Sequence, residues 1–221
     1  MLSISTLRET IFPSPHRVAR AMTFRAFVIL VGLWALNSYA CRGAQNGSGQ
    51  SPAGDITYEL RSAADEVKQL WLYPTGRKDK AAQLCETLGW GNLEIHFSPD
   101  NSWIVVQDGG NSLGVSLRLF RRDEGVRFTE IKEADIDGKA ERLALVKNGF
   151  LATHILDHRY ARVLAWAADS KTVLVRLTGR GTAGDMEVEI NGWVGLYDLA
   201  AGKYKFNLEN MNEGSVKRVP R

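Results

Sequence analysis

Two histidines flank an aspartate in Thr153-His154-Ile155-Leu156-Asp157-His158-Arg159. On a helix, histidines four residues apart share a face and can bind zinc. Here the context reads as a strand end and a turn, which holds them far apart, so they read as surface turn residues. Asp135-Ile136-Asp137-Gly138, followed by Glu141, offers oxygens in the manner of a calcium loop. Such a loop needs glycine at its sixth position and glutamate at its twelfth. Gly138 comes two residues too early and Glu141 five too early, which leaves a tight Asp-Gly turn. Asp100 and Asp169 could serve acid–base chemistry only if their carboxylates converged. They hold matching places in a repeated phrase, so each is expected to cap its own turn. Ser98, Ser102 and Ser170 lack the Gly-x-Ser-x-Gly elbow of a nucleophile.

Glycine-rich runs at 108–114 and 179–185 do not lie between a strand and a helix, as a phosphate cradle would. They read as hairpin loops, with Asn111 and Arg180 as candidate contact residues. Of the tryptophans beyond the leader, Trp71, Trp103 and Trp166 fall at expected core positions. Trp90 and Trp193 remain as the candidate exposed aromatics. No set of residues implies a catalytic group, a metal site or a cofactor.

The elements that would position these residues repeat. His96-Phe97-Ser98-Pro99-Asp100-Asn101-Ser102-Trp103-Ile104-Val105-Val106 returns as Ala165-Trp166-Ala167-Ala168-Asp169-Ser170-Lys171-Thr172-Val173-Leu174-Val175. Leu70-Trp71-Leu72-Tyr73, Leu117-Arg118-Leu119-Phe120 and Val194-Gly195-Leu196-Tyr197 form a second phrase, each followed by a glycine turn. Repetition of this kind marks stacked supersecondary units. Period-two apolar runs between turn signals predict strands over 67–73, 92–97, 103–107, 115–121 and 126–131. Further strands are expected at 141–146, 150–156, 162–167, 172–178, 187–191, 192–199 and 203–208. Residues 63–70 read as a helical turn or two, with 67–73 alternating well enough for a strand. Residues 133–139 are charged and loop-like.

The repeated unit is a four-stranded antiparallel sheet. Its Phe97-Ser98-Pro99-Asp100 and Leu117-x-Leu119-Phe120 phrases resemble the blade of a WD40-like β-propeller of the TolB type. The resemblance implies a Ser-Pro-Asp turn between a blade's first two strands and the Leu-x-Leu-aromatic phrase on its third. A ring needs about four or more blades, and about two and a half are legible. The expectation is therefore an all-β domain of about two four-stranded blade-like sheets, as a partial propeller or a sandwich. A subunit ring, or edges blunted by other segments, would also meet the open-edge problem.

Residues 1–40 read as a secretory signal peptide, with Arg25, an apolar run at 26–36, and Ser38 and Ala40 at the −3 and −1 positions. Met22 is a plausible true start. The run is short for a membrane span, which needs about 20 residues, though an uncleaved signal-anchor is the alternative. Cys41 follows Ala40 and resembles a lipoprotein processing site, although Ser38 and Tyr39 depart from its usual pattern; plain cleavage after Ala40 or Ala44 is the alternative. Residues 41–54 read as a flexible tether, 55–209 as the blade-repeat domain and 210–221 as a polar tail. If Cys41 is lipidated, Cys85 is left as a small buried hydrophobe; otherwise the two could form a disulfide.

The chain carries 28 Lys+Arg and 25 Asp+Glu, net +3. Residues 1–41 contain four of those cations and one of those acids, so 24 of each remain in the mature part. The mature part has no net basic footprint of the kind that nucleic-acid binding needs, so no nucleic-acid partner is expected. The expectation is a non-enzymatic envelope module that binds a protein partner through sheet edges and loops, touching membrane only through its leader or lipid. The rivals are a carbohydrate-binding or hydrolytic accessory protein and a signal-anchored envelope protein.

Overall fold

A computed structural model of the protein describes residues 47–63, 67–88, 92–111, 113–151, 155–183, 186–206 and 208–219. The signal segment, Cys41, most of the tether, Trp90 and His154 lie outside the described residues.

The chain is predominantly β and winds through three successive antiparallel meanders. The first comprises β1 (Ser48–Gln50), β2 (Ile56–Ser62), β3 (Val67–Pro74) and β4 (Ala82–Leu88). The second is β5 (Leu93–Phe97), β6 (Trp103–Asn111), β7 (Gly114–Glu124) and β8 (Arg127–Glu130). The third is β9 (Ile155–Trp166), β10 (Thr172–Ala183), β11 (Met186–Asp198) and β12 (Lys203–Phe206). The first is a separate four-stranded sheet. A short parallel contact, Gly114 to Arg159 and Val115 to Tyr160, joins the other two into a nine-stranded sheet. This sheet is larger than the sequence led us to expect.

One turn recurs in all three meanders. Ser98 N–H bonds Trp103 O at 2.9 Å, Asn101 N–H bonds Ser98 O at 3.0 Å, and Asn101 has φ +59°. The matching bonds at Ala167 and Ser170 measure 2.9 and 3.0 Å, with Ser170 at φ +58°. Ser51-Pro52-Ala53-Gly54 repeats the arrangement at 2.8 and 2.9 Å, with Gly54 at φ +73°. The end of the segment read as a tether is therefore a strand and the first copy of this turn. Gly54 supplies the left-handed conformation without steric cost.

The meanders pack face to face. Ile56, Tyr58, Leu70 and Leu72 of the first form one core with Leu93, Ile95, Phe97, Ile104, Val106 and Phe120 of the second. The second meander's opposite face (Val105, Leu117 and Leu119) joins Val163, Val173, Val175 and Leu177 of the third in another core. Strand β7 alternates as its sequence predicts, with Leu117 and Leu119 on one side and Phe120 on the other.

Three further segments differ from expectation. Residues 136–147 form a helix, α1 (Ile136–Lys147), rather than a turn and a strand. It ends with Phe150 N–H bonded to Leu145 O at 3.0 Å and Gly149 at φ +79°, in the manner of a glycine C-cap. The run at 179–185 is strand as far as Ala183, because Gly179 permits close approach: a Cβ there would lie 2.7 Å from His158 O. In the polar tail, a short helix, α2 (Glu209–Asn212), leads to β13 (Val216–Val219), which pairs with β11. Asn212 bridges the gap left along the β11 edge. Its amide donates to Val194 O at 2.8 Å, and its oxygen accepts from Val194 N–H at 2.7 Å.

Candidate functional site

Polar groups concentrate in three places. At the turns, Asp100 accepts Ser98 Oγ–H at 2.7 Å, Ser102 N–H at 2.9 Å and Ser102 Oγ–H at 2.8 Å. Burial pushes this carboxyl up, but those bonds outweigh it and hold Asp100 below the usual carboxylate range. Asp169 accepts Lys171 N–H at 3.0 Å. Each aspartate thus bonds within its own turn, and Ser98 directs its hydroxyl proton to Asp100. Asn101, 1% exposed, donates to Ser51 Oγ at 2.9 Å and to Asp55. Asp55 also pairs with Arg122 at 3.0 Å. Burial raises its carboxyl, yet Arg122, Ser51 and Asn101 together hold it low.

At the seam between the second and third meanders, α1 presents Asp137 and Glu141, one turn apart and both 4% exposed. Arg159 of β9 reaches Asp137 Oδ2 at 2.7 Å and Glu141 Oε2 at 2.7 Å. The remaining carboxylate oxygens accept backbone N–H groups, Leu117 at 3.3 Å and Leu156 at 2.6 Å. Burial pushes Asp137 above its ordinary value despite Arg159 beside it. All four carboxylate oxygens and both terminal guanidinium nitrogens are matched within the protein, so this cluster fastens α1 across the β7–β9 junction. Asp137, Gly138 and Glu141, expected as parts of a turn and a strand, all lie on this helix. Their four-residue spacing was the available signal.

The third place is the outer face of the third meander. Arg162 on β9 and Arg176 on β10 stand directly opposite each other, both exposed. Arg176 lies over Gly192 (φ +75°), where a Cβ would sit 3.1 Å from its Nη2. Tyr160, 41% exposed, and Leu164, 44% exposed, flank Arg162. None of these residues was singled out in the sequence.

The sequence-predicted binding residues do not converge. Trp193 is 4% exposed and meets Tyr204 edge-to-face at 5.3 Å, so it belongs to the core and not to an exposed platform. Its ring covers Gly195, where a Cβ would lie 2.4 Å from it. Trp71, expected in the core, is half-buried on the outer face of the first meander. It lies under Arg61 at 4.6 Å, with its Nε1–H bonded to Gln69 at 3.1 Å. Arg180 is exposed and pairs with Glu187 at 2.5 Å. Asn111 closes the β6–β7 hairpin opposite Gly114. His158 is exposed within β9, opposite Arg180, rather than in a turn. Among the described residues, no group of three or more His, Cys, Asp or Glu side chains is placed to hold a metal ion. No family model matches the chain, and a search of curated proteins finds no match to it.

Proposed function

We propose that this chain is an exported, non-enzymatic binding module of the cell envelope, built from WD40-like blade repeats and attached through Cys41, that contacts a protein partner. The observation that carries this reading is the open outer face of the third meander. The corresponding faces of the first two each pack on the next meander. The third presents exposed Arg162, Leu164 and Arg176 instead. Open sheet faces and edges recruit protein partners more readily than small substrates. The roles of the acids fit the same reading, since exposed Asp100 and buried Asp137 and Glu141 all bond groups of the fold itself.

Photo-crosslinking tests it, with a photoreactive residue placed in turn at Leu164, Leu113 and Met186 of the natively expressed full chain. A discrete adduct with one envelope protein is expected. Absence of any protein adduct from all three positions would overturn the reading. Intact mass of the membrane fraction tests the anchor: a chain starting at Cys41 with added acyl mass is expected, and an unmodified soluble chain would remove it.

A further inference from the structure

The repeat assigns a purpose to each position on the face that looks toward the next meander. In the second meander this face carries Val105 and Gln107 on β6. Gln107, 4% exposed, reaches across to the third meander and accepts Val163 N–H at 3.2 Å. Its strand partner is Glu94. The third meander places Leu174 and Arg176 at those β6 positions, and Arg162 stands opposite Arg176. An acid–amide pair has thus become two arginines, one of them where the preceding unit bonds its neighbour. Like charges directly opposite on adjacent strands destabilise a sheet. Neither guanidinium has a hydrogen-bond or ion-pair partner among the described residues.

We propose that this strip, Tyr160, Arg162, Leu164 and Arg176, docks an acidic protein segment that also carries apolar side chains. The inference rests on the protein-binding reading above and adds the chemistry of the partner. Carboxylates match the guanidinium fork bidentately and relieve the Arg162–Arg176 repulsion. Tyr160 and Leu164 supply the apolar contact that such an anchor needs. A second copy of the chain fits poorly. Two-fold pairing of the strip with itself sets arginine against arginine. The outer face of the first meander offers Glu59, which Arg61 and Lys78 already hold at 3.3 and 2.8 Å.

The test is fluorescence anisotropy of a short labelled peptide of alternating glutamate and leucine with the full chain. A lysine–leucine peptide serves as the control. Binding to the acidic peptide is expected to weaken with salt and to fall about tenfold in Arg162→Ala/Arg176→Ala, while Arg180→Ala leaves it unchanged. Near-UV circular dichroism checks that the double variant keeps its fold. Equal affinity in the double variant, or preference for the basic peptide, overturns the proposal. So does a dimer in sedimentation that the double variant dissolves, because that result assigns the strip to a second copy. Crosslinking separates the two readings. Protein adducts that persist unchanged in the double variant end this inference and leave the binding module standing; no adduct at any position ends both.

Discussion

The backbone N–H of Asp100 donates to the Ser170 hydroxyl at 3.1 Å, joining turns 70 residues apart. The preceding pair of turns is joined likewise, with Asn101 donating to Ser51 and Asp55. In both links a side chain at the left-handed position of one turn meets the turn before it. Gly54 occupies that position in the first turn and has no side chain to extend the series. In the third turn Ala167 stands where the first turn has Ser51, the hydroxyl that receives Asn101. The three turns thus form one hydrogen-bonded line along one end of the stacked meanders, so that stability there is shared among residues distant in sequence.

Asn101 serves both the backbone conformation and this link. Asn101→Gly keeps the left-handed geometry and loses the amide, whereas Asn101→Ala loses both. Asn101→Gly is expected to destabilise by about 1–2 kcal/mol, and Asn101→Ala by about 1 kcal/mol more. Urea unfolding measures both. Equal midpoints for the two variants would show that the positive φ contributes nothing.

Gly114 is fixed by its neighbour. A Cβ there would lie 1.7 Å from Arg159 O, at the point where β7 meets β9. Gly114→Ala is therefore expected to cost about 4 kcal/mol or more, within the range of severe backbone clashes. Gly76→Ala, at φ +77° with open space around it, should cost only about 1–2 kcal/mol. Similar losses in the two unfolding curves would mean that the junction yields easily.

Much of the fold was legible where pattern and propensity agreed. Val115 to Arg121 alternates cleanly and forms β7, and the Asp100 and Asp169 phrases mark true turns. The first copy of the turn escaped notice because Ser51-Pro52-Ala53-Gly54 lies in a Gly/Ser-rich stretch that resembles a tether. Helix α1 was hidden for a different reason. Its buried stripe contains Ile136, Ala140, Ala144 and Leu145, but also Asp137 and Glu141. Charges at core positions break the apolar period, and only tertiary pairing with Arg159 makes them tolerable there. Trp71 misled because its repeat position implied core, while its strand begins at the outermost sheet. The Arg162–Arg176 pair depends on strand register, which residue types alone did not fix.

Cys85 is a free thiol in the core between the first two meanders, 6% exposed. Burial pushes it up to about 12, with Arg118 offsetting only part. At neutral pH it is therefore held as the unreactive thiol. A thiol reagent should label Cys85 at the rate of global unfolding in native buffer and rapidly in urea. Fast labelling of the folded chain would place the thiol within reach of solvent. Cys85→Ser should destabilise by about 1–3 kcal/mol by putting an unmatched hydroxyl into that core.

Asp137 and Asp100 should push stability in opposite directions with pH. Asp137 holds its proton more tightly in the folded chain than in the unfolded one, because burial raises it. Its contribution favours the fold on the acid side and declines as pH rises from the ordinary carboxyl range through the raised folded value. Asp100 is lowered, so its contribution is present above the ordinary range and is lost as pH falls through the depressed folded value. Asp137→Asn removes the first titration while keeping an oxygen for Leu117 N–H. The stability of this variant relative to the wild type should therefore rise with pH across the Asp137 window, whatever the offset between the two curves. Arg159→Met acts on the same pair from the other side. It leaves two buried carboxylates without their cation and should cost about 3–5 kcal/mol at neutral pH. That loss should shrink in acid as Asp137, raised by burial, takes up its proton. Denaturant unfolding over a pH series reads both effects. Curves for Asp137→Asn and Arg159→Met that run parallel to the wild type would mean that α1 is held at the seam by its apolar stripe alone.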